Sequence, residues 1–165
     1  MTDASETDRR LLARAIALAA ENAACADDRL LGGPFGAVIA TSEGRVIAEG
    51  RNRVLAAHDP SAHAEIEAIR AACRHLRHFH LEGCTLYASS EPCPMCLAAA
   101  YWARLSRIVY ANPREAAAAI GFGDADFYRE LALPAEERRL PSSHLFLPEA
   151  SAPLIAWKKR GRTMY

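Results

Sequence analysis

Two short motifs thirty positions apart limit what this chain can become: His63-Ala64-Glu65 and Pro92-Cys93-Pro94-Met95-Cys96. One imidazole and two thiols are ligands of the kind zinc takes. Three protein ligands leave a fourth position open for water. For these groups to meet, the intervening chain must leave and return, so the fold has to bring two element ends to one point. Glu65 need not bind metal and is placed to move protons beside it.

The surrounding residues say which ends those are. Asp59-Pro60-Ser61 offers a cap for a helix over residues 62–76. Pro94, which lacks an N–H, suits the start of a second helix over residues 94–104. Both motifs thus fall at helix N-termini, where partial positive charge and free N–H groups favour the thiolate that zinc requires.

Upstream, Thr7-Asp8 starts a helix with an apolar stripe of Leu11, Leu12, Ala15, Ile16, Leu18 and Ala19, ended by Gly32-Gly33-Pro34. Residues 35–40 and 45–49 form a predicted hairpin around Thr41-Ser42-Glu43-Gly44. Further strands fall at 85–88 and 107–111. The order α-β-β-α-β-α-β-α predicts a three-layer α/β sandwich. Beyond Asn112 come a Gly- and Asp-rich loop at 121–126, a short charged helix at 134–139, a strand at 144–147 and a helix at 148–160. Without repeats or a linker, 1–165 reads as one domain.

Composition narrows the function. Basic and acidic residues balance at 20 each, which gives no footprint for a polyanion and points to a small neutral substrate. The hydrophobic fraction of 51% includes 35 alanines, so the core must lean on Leu, Ile, Val and 12 aromatic residues. Residues 1–10 are polar, without a signal-like apolar run, and the Ala-rich stretch at 11–24 is broken by Arg14, Glu21 and Asn22. A cytoplasmic protein with reduced thiols is the expectation, with Cys25, Cys73 and Cys84 as small buried hydrophobes.

H-x-E followed by P-C-x-x-C is the pattern of zinc-dependent nucleobase deaminases. Together with Gly33-Pro34-Phe35-Gly36-Ala37-Val38, Tyr101-Trp102-Ala103-Arg104, the stretch 121–128 and a final Tyr165, the chain resembles bacterial guanine deaminases of the cytidine-deaminase superfamily. Gly161-Arg162-Thr163-Met164 depart from the family's pattern. The resemblance implies a three-layer α/β/α sandwich with a five-stranded mixed sheet and one zinc per subunit on His63, Cys93 and Cys96. It implies Glu65 as the proton shuttle, with Asn52, Asp124, Trp102, Phe35 and Tyr165 around a purine base. It also implies a homodimer in which the segment from about 121 to 165 crosses to the partner.

Other readings fit parts of the pattern. A structural zinc site would recruit a fourth ligand from His58, His78, His80 or Cys84. Trp102 could pack in the core, Phe35 could simply pack, Asn52 could serve a turn, and Asp126 could replace Asp124. Guanosine deaminase, a tRNA-editing adenosine deaminase and a non-catalytic dimeric zinc protein are the rival functions.

Overall fold

Ser5, rather than the expected Thr7, caps the first helix. Its hydroxyl accepts the Asp8 main-chain N–H at 3.1 Å, and α1 runs Glu6–Ala23. The computed structural model describes residues 5–27, 31–161 and 163. The buried stripe of α1 is Asp8, Leu11, Ala15, Leu18, Ala19 and Asn22. Ile16, expected on that stripe, faces outward.

β1 (Gly36–Thr41) pairs antiparallel with β2 (Val46–Arg51) through the expected hairpin. It also pairs antiparallel with β3 (Cys84–Ser90), which runs parallel to β4 (Arg107–Asn112). The mixed sheet has the order β2-β1-β3-β4, four strands among the described residues rather than the five expected. Residues 144–147, predicted as a strand, carry no regular structure. A strand exists only where its N–H and C=O groups find a ladder partner, and among the described residues this run has none.

Alternation along β1 builds the layers. Ala37 and Ile39 pack with Ala64, Ala68, Ile69 and Ala72 of a helix over Ala64–Leu76, designated α3, while Val38 and Ala40 pack with Leu11, Ala15 and Leu18 of α1. A short α2 (Val54–Ala57) precedes α3, and α4 (Pro94–Trp102) follows β3. The alanines let helix and sheet close tightly. A Cβ on Gly50 would lie 2.5 Å from Ala68 N and still closer to Ala64 O, so α3 sits directly on β2.

At the other end of α1, buried Asp8 ties helix to sheet. It accepts from Tyr87 Oη at 2.8 Å and from both terminal nitrogens of Arg107 at 2.9 Å. These bonds, Arg107 first, hold its carboxyl down at about 2. A carboxyl lowered on folding stabilises fully above its ordinary value of 3.8, and that contribution fades as pH falls toward about 2. Asp8→Asn is therefore expected to cost about 1–2 kcal/mol at neutral pH, the lower part of the range for charged hydrogen bonds because Arg107 is half exposed. Urea titrations should show the gap between wild type and variant narrowing between pH 4 and about 2.5. A gap that does not vary with pH would remove the charge from the explanation.

The chain divides into two compact units, Met1–Ala125 and Asp126–Tyr165. The first also contains α5 (Arg114–Ala119). α6 (Ala125–Ala132) opens the second, where the expected charged helix is a single 3-10 turn, Ala135–Glu137. The expected terminal helix is a 3-10 turn, Pro148–Ser151, continuing into α7 (Ala152–Lys159). None of these elements buries a residue. No described helix is long and apolar enough to cross a membrane.

Candidate active site

His63 and Cys93 occupy equivalent positions: each is the extended N-cap of its helix, α3 and α4, and neither side chain caps its own backbone. Both side chains are thereby left to point away from their helices. Cys96 and Glu65 sit in the first turns, one on each helix, and both are buried.

The donors converge. His63 Nδ1 lies 3.6 Å from Cys93 Sγ and 3.5 Å from Cys96 Sγ, and all three donor atoms lie within 4.8 Å of one another. With Zn–N of ~2.0–2.1 Å and Zn–S of ~2.3 Å, a tetrahedral angle separates N from S by about 3.6 Å. The donor set fits zinc in both chemistry and spacing. Among the described residues no fourth His, Cys, Asp or Glu joins it, which leaves a coordination position open and removes the fourth ligand a structural site requires.

Electrostatics agree with that assignment. A hydrogen bond from Cys96, then one with His63, pulls the Cys93 thiol down to about 4, while the same bond to Cys93 pushes Cys96 up. A cation bound here would take both sulfurs as thiolates and release the thiol proton. His63 is raised, chiefly by its bond to Cys93. Burial lifts the Glu65 carboxyl to about 7, with its own main-chain N–H and the Cys96 thiol pulling the other way. A carboxyl poised near neutrality can both take and give a proton.

The loop after β2 supplies the next group. Asn52 is 4% exposed, and its Oδ1 accepts from Gly33 N and Val54 N, each at 3.2 Å. Both lone pairs are therefore in use, and among the described residues Nδ2 donates to nothing, so Asn52 offers a donor rather than the donor-and-acceptor amide its residue type allows. Phe35 meets Phe122 edge to face at 5.1 Å, against Gly33, where an added Cβ would touch both rings. Sequence reasoning did not single out Phe122, although it stands between the two glycines of the 121–126 loop.

Asp124 immediately precedes α6 and is raised by burial and by the charge of Cys93, which places it in the field of the metal ligands. Asp126 instead pairs with Arg129 and Arg139 and stays with its own unit. Trp102 ends α4, about 9 Å further along the axis than Cys96, and is 68% exposed, so the alternative reading of it as a core residue does not hold. Tyr165 lies outside the described residues. Glu91 was also missed: it pairs with Arg114, accepts the Arg114 main-chain N–H at 3.1 Å, and so fixes the turn leading into Cys93.

A His/Cys/Cys donor set with a buried carboxyl beside it, on a three-layer α/β/α frame, belongs to the zinc-dependent deaminase class. The profile described as the cytidine and deoxycytidylate deaminase zinc-binding region matches residues 5–112, and the chain is a member of that family. It is 48% identical to a guanine deaminase of Bacillus subtilis over 147 residues, 89% of this chain and 91% of that one. A crystal structure of guanine deaminase from Bacillus subtilis superposes with a TM-score of 0.87, at 44% identity over 95% of this chain and 97% of that one. A guanine deaminase structure from Nitrosomonas europaea gives a TM-score of 0.64 at 31% identity, covering 76% and 68%. A tRNA-specific adenosine deaminase of Haemophilus influenzae is 34% identical over 117 residues, 71% of this chain and 65% of that one.

Proposed function

We propose that this protein is a zinc-dependent guanine aminohydrolase, converting guanine and water to xanthine and ammonia. The observation that carries it is the buried Glu65 carboxyl beside the open His63, Cys93 and Cys96 donor set, in a chain whose likeness to guanine deaminase extends over nearly its whole length. When bound, zinc supplies Lewis acidity that brings the pKa of a water to about 7. Glu65 would accept a proton from the attacking water and deliver it to ring N3 as the water's oxygen bonds to C2. Glu65, its first proton now on N3, then takes the remaining proton from the oxygen on C2 and passes it to the amine as C2=O forms and the C2–N bond breaks, releasing ammonia and leaving Glu65 ionised again.

In this account Asn52 Nδ2 donates to an acceptor on the purine, Asp124 accepts from its N–H groups, and Phe35 walls the base with Phe122 behind it. Trp102 and Tyr165 complete the set implied by the family likeness. The second unit supports a homodimer that exchanges residues from about 121 to 165. None of its helices or 3-10 turns buries a residue, and Leu140, Leu145, Phe146 and Leu154 are exposed, apolar surface of the kind that marks a protein contact. Among the described residues β4 is an edge strand of the sheet, beside a groove formed with α4 by Leu97, Ala100, Leu105 and Ile108.

The test is ammonia release from guanine, guanosine, adenine, cytosine and a tRNA anticodon stem by zinc-loaded protein. Turnover of guanine at least ~100-fold faster (in kcat/KM) than of the others is expected. Preferred turnover of guanosine or of the anticodon stem would keep the chemistry and overturn the substrate. Light scattering on eluted protein should give twice the 18.0 kDa chain mass.

A further inference from the structure

Asn22 is polar, 4% exposed, and sits on the buried stripe of α1 in line with Leu11, Ala15 and Leu18. Its Nδ2 donates to Asn52 O at 2.8 Å and to Gly33 O at 3.0 Å. Those two carbonyls can only accept, so the amide cannot be turned round. Among the described residues its buried Oδ1 has no hydrogen-bond partner.

The two residues it holds are bonded to each other a second way. Gly33 N donates to Asn52 Oδ1, and Asn52 N donates to Phe35 O at 3.1 Å. The loop leading into β1 and the loop leaving β2 are thus fastened by one amide from α1, at the residues assigned to the base. Gly32 shows how little room this leaves: a Cβ there would collide with Asn52 Oδ1. Arg53 N continues the line to Ala62 O, next to His63.

We infer that Asn22 is a positioning residue for purine binding: it fixes the main chain of Asn52 and Gly33 so that the Asn52 carboxamide has its oxygen saturated and its Nδ2 presented to the base. It touches no substrate. The inference rests on the assignment of Asn52 to the base, and a double-mutant cycle separates the two.

Asn22→Ala should raise KM for guanine about tenfold, with kcat and bound zinc within about twofold of wild type, because an ill-held Asn52 weakens binding without touching Glu65 or the metal ligands. In an Asn52→Ala background the same substitution should leave KM unchanged. Asn22→Ser, which keeps one donor, should fall between Ala and Asn, and serves in the same cycle if the alanine variant does not fold. Equal KM effects in both backgrounds, or a wild-type KM with only a lowered Tm, would reduce Asn22 to a packing residue. If Asn52→Ala raises KM and Asn22→Ala does not, only the positioning role fails. If Asn52→Ala leaves KM unchanged, the assignment of Asn52 to the base fails and takes this role with it.

Discussion

Glu65→Ala is expected to lower kcat for guanine by about 10²–10⁴, the range a positioned acid/base contributes, while leaving zinc bound. The reason lies in geometry and in burial together. The carboxyl is on the first turn of α3, one residue beyond Ala64 and two beyond the His63 N-cap, so the helix start sets its distance from the metal donors. Its burial holds it near pKa 7, where one group can serve as base in the first half of the cycle and acid in the second. Removing it leaves His63, Cys93 and Cys96 in place, so zinc content by atomic emission should stay near one per chain. Loss of zinc together with activity would make Glu65 part of the metal site rather than its proton carrier. A rate within tenfold of wild type would remove the proton-transfer role altogether.

Cys96→Ala has a larger expected effect on the metal. Its sulfur is fully buried and 3.5 Å from His63 Nδ1, so it cannot be replaced by a side chain from solvent. Two protein ligands hold zinc far less tightly than three. Purified variant should carry under about a tenth of the wild-type zinc, have no measurable turnover, and melt at the temperature of chelator-treated wild type, since metal that binds only the folded state stabilises it by mass action. Cys84→Ala is the control. Cys84 is also a buried thiol, but it packs in the core with Ala37 and Leu86 and outside the donor cluster. It should keep zinc and turnover and lose only about 1 kcal/mol of packing. Zinc lost from Cys84→Ala would restore a fourth, structural ligand.

The metal site was legible in sequence because each of its constraints is local. Ligand spacing and the proline after Cys93 act within one turn, and α4 starts at that proline; the other helix starts at Ala64 on a His63 N-cap, while Asp59, expected to cap it, accepts from Ser61 instead. The hairpin and the α1 stripe were legible for the same reason. Asn22 and Asp8 show where local reading stopped. Each sits at one end of the apolar stripe, spaced in register with Leu11 and Leu18, and a polar residue at a core-facing position is a signal that it has a distant partner. Those partners, Asn52 and Gly33 at one end and Tyr87 with Arg107 at the other, are fixed only by tertiary packing.

The second unit failed for a different reason. Residues 144–147 have strand-like side chains, yet a strand is defined by its ladder, and among the described residues no neighbour supplies one. Trp102 is exposed at the end of α4, and helix periodicity alone does not report whether a residue at that position meets the core or solvent. For Asn52 the residue type allows both donating and accepting, whereas two main-chain N–H groups on its oxygen leave the amide only its donor to offer.

One measurement bears most directly on the whole account: xanthine and ammonia quantified together from guanine, with zinc-loaded wild type beside zinc-loaded Glu65→Ala. The account predicts the two products in equal amounts from wild type and a rate at least ~100-fold lower from the variant at equal zinc. No xanthine from zinc-loaded wild type, or equal rates from the two proteins, would contradict it.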